Sequence, residues 1–180
     1  FATASGNIRR NKLSDFTNIK RNGKIAMKLD EGDKLVGVAP CSEESDILLA
    51  SRAGKAIRFA TTAVRVFAGR GSTGVRGIKL LGDDKVVSMS VIEDENLEYV
   101  LSVTENGFGK RTLVNDYRRS GRGGQGVANI ETTDRNGAVV SSFVVLSEDQ
   151  LMLVTDAGKI IRIRVDGGEG DSIRVAGRKT

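Results

Sequence analysis

The chain has 180 residues, with 28 Lys and Arg against 23 Asp and Glu, and its formal net charge is +5 at pH 7. It contains no histidine, which excludes histidine-based catalytic dyads, triads and metal sites. Every apolar run is shorter than the roughly 18 residues of a membrane-spanning helix, no charged-then-apolar leader is present, and the single cysteine cannot form an internal disulfide. We therefore expect no membrane partner and a reducing, cytoplasmic location.

Short strands are predicted throughout, because glycine is abundant at 22 residues, proline occurs once, and the short apolar runs are rich in Val and Ile. Four hairpins share one pattern, with Ser or Thr three residues before a glycine and Arg four residues after it. The clearest spans residues 104–111, where Asn-Gly predicts a tight type I′ turn. The four glycines recur at intervals of about 50 residues, and they are Gly6, Gly54, Gly107 and Gly158.

Three further elements recur with the same period. They are a Gly-Val strand (23–29, 74–80, 126–131), a third strand (32–38, 83–89, 136–141), and the apolar strand that enters each hairpin (47–50, 99–102, 151–154). Four short strands in about 50 residues are typical of a propeller blade, and neighbouring blades must stack to bury their faces. We predict one all-β disc, or part of one, with units at approximately 1–50, 51–102 and 103–153, a partial unit at 154–180, and a loop at 167–170.

Two glycine-rich stretches, 69–74 and 121–126, match G-x-G-x-x-G. A dinucleotide site would need a helix after this motif, whereas Val and Ile strands follow here, so we interpret both as loops between strands. Tyr117 falls where other units carry Phe16 and Val64, which favours packing over nucleophilic catalysis. We expect no catalytic site, no metal site and no cofactor in these 180 residues.

Basic residues recur at equivalent positions, and we predict that they form a band around the disc that suits a long polyanion. The alternative is that they only protect strand edges from pairing with other chains. One set follows each hairpin glycine, a second lies in the next loops, and a third lies on the Gly-Val strands. The candidates are Arg10, Arg58, Arg111 and Arg162; Arg21, Arg70, Arg122 and Arg178; Lys24, Lys28, Arg76 and Lys79; and also Lys110, Arg118 and Arg119.

Residues 73–80, 105–112 and 155–158, together with the Asp-Lys-containing third strands, resemble the C-terminal domain of the bacterial DNA gyrase A protein over essentially the whole chain. The resemblance implies a β-pinwheel, a propeller-like disc of four-stranded blades with strands shared between neighbours. The family's Gln-Arg-Arg-Gly-Gly-Lys-Gly motif is absent, and residues 120–126 are a degenerate counterpart in a later blade. We expect the blade that carries the motif to precede residue 1.

The same resemblance implies that the chain binds duplex DNA without sequence specificity and wraps it around a basic perimeter, so that gyrase introduces negative supercoils. Its implied partners are double-stranded DNA, the rest of the gyrase A protein and the gyrase B protein, in the nucleoid of a bacterial cytoplasm. ATP and Mg would belong to other parts of that enzyme. The alternatives are the equivalent domain of the topoisomerase IV A-type protein, or a propeller-type protein-interaction scaffold.

Overall fold

The computed structural model of the chain describes residues 1–167 and 173–180. Within these ranges the chain forms thirteen strands and three 3₁₀ turns but no α-helix, which confirms the all-β class. The loop predicted at 167–170 lies outside the described residues from Gly168 onward. The strands are β1 (Ala2–Thr3), β2 (Asn7–Ile8), β3 (Leu35–Gly37), β4 (Asp46–Ser51), β5 (Lys55–Ala60), β6 (Val75–Arg76), β7 (Val86–Ile92), β8 (Glu98–Thr104), β9 (Gly109–Leu113), β10 (Val127–Ala128), β11 (Val139–Leu146), β12 (Gln150–Val154) and β13 (Ile160–Arg164).

All four predicted hairpins are present, as β1–β2, β4–β5, β8–β9 and β12–β13, and each is antiparallel. The predicted type I′ turn is wrong. Gly107 has φ of +79°, but no non-glycine residue among those described has positive φ, so Asn106 does not take the left-handed conformation that a type I′ turn requires. The N–H of Gly107 donates to the carbonyl of Thr104 at 3.0 Å, so a single left-handed glycine closes a longer loop.

Each of the first two sheets includes one strand that belongs to the following unit. The first two sheets have four strands each, in the orders β3-β1-β2-β6 and β10-β5-β4-β7. Val75 of β6 pairs with Ile8, and Val127 of β10 pairs with Ala56, so each Gly-Val strand completes the sheet of the unit before it. This is the strand sharing that the resemblance implies.

The Gly-Val strand predicted at 23–29 is absent, and two of the four sheets have fewer than four strands among the described residues. Residues 23–29 lie outside all strands, whereas the equivalent β6 and β10 pair with the hairpin one unit earlier. Among the described residues, the third sheet has three strands (β11-β8-β9) and the fourth has two (β12-β13). Beside β9, Arg111 makes a single parallel bridge with Val175.

Three apolar clusters fill the spaces between consecutive sheets. Successive residues of β4 point to opposite faces, so Leu48 and Leu49 belong to different clusters, and both are buried. Burial on both faces explains why the central strands are almost entirely apolar. Tyr117 packs in the second cluster, as predicted, and its hydroxyl lies 2.5 Å from Oδ1 of the buried Asn129.

Candidate nucleic-acid interface

Three of the four arginines that follow the hairpin glycines, all except Arg162, reach into the next unit. Arg58 Nη1 donates to the carbonyls of Val114 and Tyr117, both at 3.3 Å, and Arg111 Nε donates to the carbonyl of Ile173 at 3.1 Å. Arg10 Nε makes the equivalent bond one unit earlier, to the carbonyl of Val64. We refer to Arg10, Arg58 and Arg111 as the inter-unit arginines.

Arg58 lies in the interior of the protein, so the expectation that it faces outward is wrong. Its side chain is 7% exposed, its Nε lies 2.7 Å from Oδ2 of Asp46, and its Nη2 bonds Glu95. Arg119 approaches the other oxygen of Asp46, also at 2.7 Å. Burial lowers the pKa of Arg58, but the bonds to Glu95 and Asp46 outweigh it, so its pKa lies above the ordinary value and the charge is retained.

Lys110 and Arg111 are likewise buried rather than outward-facing. The Arg111 guanidinium lies 4.9 Å from the ring centre of Tyr99, and Lys110 Nζ donates to the carbonyl of Gly177. Burial, with Arg178 and Arg174 nearby, lowers the pKa of Lys110 to about 8. Arg111 Nε and Lys110 Nζ therefore already donate inside the protein, and burial restricts the access of a phosphate to both side chains.

Because of Lys110, we expect the free energy of unfolding to rise between pH 8 and pH 10. The pKa of Lys110 falls from an ordinary 10.5 to about 8 in the folded protein, so the unfolded state binds more protons over this interval. Burial raises the pKa of Tyr117 above its ordinary 10.0, which reverses the trend at higher pH. Urea denaturation at pH 8, 9 and 10 measures the effect. The control is Lys110→Met, which should abolish the rise, and an undiminished rise in that variant would contradict the assignment.

Three of the four arginines in the second predicted set, all except Arg21, reach backward to the preceding unit. Arg122 Nη1 donates to the carbonyl of Arg76 at 3.0 Å, and Arg178 Nη1 donates to the carbonyl of Ala128 at 3.3 Å. Arg70 makes the equivalent bond to the carbonyl of Ile25. The three acceptors hold equivalent positions on the Gly-Val segments. Consecutive units are therefore connected by arginines in both directions.

The remaining candidates are mostly at the surface. Lys24 is half-buried, with Nζ 2.6 Å from the carbonyl of Asp15, and the half-buried Arg10 also pairs with Glu43 at 3.2 Å. Arg122 brings its own charge beside Arg76, and the backbone N–H of Lys79 bonds Gly124 in the same loop, at 2.8 Å. The exposed candidates are Arg21, Lys28, Arg76, Lys79, Arg118, Arg119, Arg122 and Arg162.

A family model described as DNA gyrase C-terminal domain, beta-propeller, matches residues 1–42, 45–93, 98–146 and 149–180. The chain belongs to the DNA gyrase C-terminal domain family. The DNA gyrase A protein of Granulibacter bethesdensis is 43% identical over 240 aligned residues, which cover 100% of this chain and 25% of that protein. The DNA gyrase A protein of Salmonella typhimurium is 46% identical over 179 residues, covering 99% and 20%. The chain spans a quarter or less of the length of these relatives.

Solved structures support the gyrase-type fold. The structure of a DNA gyrase A C-terminal domain matches with a TM-score of 0.81 and 28% identity, over 98% of this chain and 60% of that one. The crystal structure of the C-terminal domain of a DNA topoisomerase IV matches with a TM-score of 0.90, over 100% and 54%. The latter is only 22% identical, so it shows the fold alone. The gyrase β-pinwheel predicted by resemblance is confirmed.

Three arginines of this gyrase-family chain were missed by the sequence reasoning. Arg9 is buried, with Nη1 2.6 Å from the carbonyl of Ser72 and its guanidinium 4.6 Å from the ring centre of Phe67. Arg65 and Arg174 are exposed, like the predicted Arg118. Their position in the repeat could have identified one of them, since Arg65 and the predicted Arg118 each lie eleven residues after a hairpin glycine.

The part of the gyrase-family chain that the structure describes shows no group of three or more Cys, Asp or Glu residues placed to hold a metal ion. Over the same residues, no helix has the length and apolar character needed to cross a membrane. Residues 69–74 and 121–126 lead into strands β6 and β10, as expected for loops between strands.

Proposed function

We propose that this chain binds duplex DNA without sequence specificity and wraps it, as the accessory domain by which a DNA gyrase introduces negative supercoils. The observation that carries the proposal is membership of the gyrase C-terminal domain family along nearly the whole chain. The equivalent role in topoisomerase IV has less support, because the sequence relatives at 43% and 46% identity are gyrase proteins.

The exposed cations supply the chemistry that a DNA backbone needs. Lys and Arg groups that neutralise phosphates release condensed counterions, and this term does not depend on sequence. Bending a 20–30 bp duplex by 40–90° costs about 1–6 kcal/mol. Many distributed cations must offset that cost. The recurrence of Lys28 and Lys79 at equivalent positions, and the grouping of Arg76 with Arg122, fit distributed contact better than a single binding pocket.

The holoenzyme context is part of the proposal. We infer that the rest of the gyrase A protein and the gyrase B protein are the protein partners, in the bacterial cytoplasm at the nucleoid. ATP hydrolysis, Mg binding and DNA cleavage then reside in those parts, and this chain sets the path of the wrapped duplex. A wrap of fixed hand would present one duplex segment over another, which makes strand passage directional.

The test is a salt titration of duplex binding with short and long DNA. We expect affinity for a long duplex to fall about 10³-fold or more between 50 and 200 mM salt, the change typical of six to ten phosphate contacts. A short duplex should bind more weakly and with a shallower salt slope, because it cannot reach every cation along the path. Salt-insensitive binding, or equal slopes for both lengths, would contradict wrapping and favour a protein-interaction scaffold.

A further inference from the structure

A third arginine series emerges from the way consecutive units are joined. The inter-unit arginines hold the carbonyls of Val64, Tyr117 and Ile173. In each unit the next residue in the chain is an arginine, and each of these is exposed. We name them the outward arginines: Arg65, Arg118 and Arg174.

The backbone fixes each outward arginine on both sides. The carbonyl of the residue before it is held by an inter-unit arginine, and the residue after it makes a parallel bridge to that same arginine. The bridges are Arg10 with Val66, Arg58 with Arg119, and Arg111 with Val175. In the third case Arg111 N–H also donates to the carbonyl of Arg174 itself, at 2.9 Å. The backbone of each outward arginine is thus anchored although its side chain extends into solvent.

Among the described residues, the outward guanidinium groups have no competing carboxylate, in contrast to three other exposed arginines, Arg52, Arg119 and Arg164. Within residues 1–167 and 173–180, none of the three is paired with Asp or Glu, whereas Arg52 pairs with Glu105 at 2.7 Å and Arg164 pairs with Asp166 at 3.1 Å. The guanidinium of Arg65 lies 3.9 Å from the ring centre of Phe67, which supports one face and leaves the donor edge available.

We propose that the outward arginines are phosphate contacts for duplex DNA, one in each of three consecutive units. This rests on the proposed function and names the residues that perform it. A guanidinium presents a planar fork of donors that matches two phosphate oxygens. Equivalent placement in successive units spaces the three forks regularly, as a continuous phosphate backbone requires. Arg10, Arg58 and Arg111 take no direct part in DNA contact.

The experiment compares two triple variants that each remove three positive charges. One is Arg65→Gln with Arg118→Gln and Arg174→Gln. The matched control replaces exposed lysines beside the hairpin turns, as Lys34→Gln with Lys85→Gln and Lys159→Gln. Salt-titrated binding of a long duplex is measured for both and for the unmodified protein. Because all six side chains are exposed, melting temperatures should remain close to that of the unmodified protein.

We expect the arginine triple to reduce the salt slope by about 3, roughly 1 for each phosphate that is no longer neutralised, and the lysine triple to leave the slope unchanged. An unaltered slope in the arginine triple, or an equal reduction in both triples, would overturn the assignment while leaving DNA binding intact. If the unmodified protein itself shows no salt-dependent duplex binding, the proposed function fails, and this assignment fails with it.

Discussion

Replacing Arg58 by alanine is expected to lower the free energy of unfolding by about 3–5 kcal/mol, the usual cost of removing one partner from a buried ion pair. Arg58 and Asp46 are 7% and 5% exposed, so the variant leaves a buried carboxylate whose one remaining ion-pair partner among the described residues is the exposed Arg119. It also removes the Arg58 donor from the carbonyl of Tyr117 and one of the two donors to the carbonyl of Val114, which keeps the N–H of Tyr117. Chemical denaturation followed by circular dichroism measures the destabilisation.

Two further variants distinguish the loss of the buried ion pair from the loss of a positive charge at the surface. Arg52→Ala removes an exposed arginine paired with Glu105, and it should change stability by less than about 1 kcal/mol. The double variant Arg58→Met with Asp46→Leu should recover much of the stability, because both buried charges are gone. Equal effects of Arg58→Ala and Arg52→Ala would contradict the interior location of Arg58.

Gly54→Ala is expected to lower the free energy of unfolding by about 2–4 kcal/mol, combining left-handed backbone strain with overpacking. Gly54 has φ of +77°, and a Cβ added there would lie 2.2 Å from the carbonyl oxygen of Ile130. The Gly54 carbonyl also accepts the N–H of Asn129 at 2.8 Å, so the turn is pressed against the next unit. Thermal unfolding of the variant measures the effect.

The matched control is Gly158→Ala, at the equivalent turn of the β12–β13 hairpin. Gly158 has nearly the same φ, +75°, but an added Cβ would meet no atom within 4 Å among the described residues. Only the strain of about 1–2 kcal/mol should remain. Similar destabilisation at the two glycines would show that packing of the turn against the next unit contributes nothing.

The repeat, the hairpins and the buried faces were predictable because they depend on local signals. A glycine at a fixed distance from Ser or Thr marks a turn wherever it occurs, and an unbroken apolar run such as 47–50 indicates burial on both faces. The turn type was not predictable from the Asn-Gly pair alone. The other three turns carry Ser or Ala before the glycine, which already pointed to a geometry with one left-handed residue.

The site was harder to predict because burial of a cation depends on partners far away in the chain. Arg58 and Arg162 occupy the same place in the repeat, yet Arg58 is enclosed by Asp46, Glu95 and the following unit, whereas Arg162 is exposed. Periodicity shows which positions correspond, not which of them a neighbour covers. The equivalence of Arg174 to Arg65 and Arg118 could not be recognised from the repeat, because Arg174 lies farther from its hairpin glycine than the other two do.

Strand sharing determines the order in which the protein can fold. A chain emerging from the ribosome presents β2 long before β6, and β5 long before β10, so each nascent sheet keeps an open edge until about half of the next unit has been made. An open edge offers unpaired N–H and C=O groups to other nascent chains. We therefore expect the units to fold in chain order during synthesis. At each stage the most recently formed sheet has one unpaired edge, until the next unit supplies its Gly-Val strand.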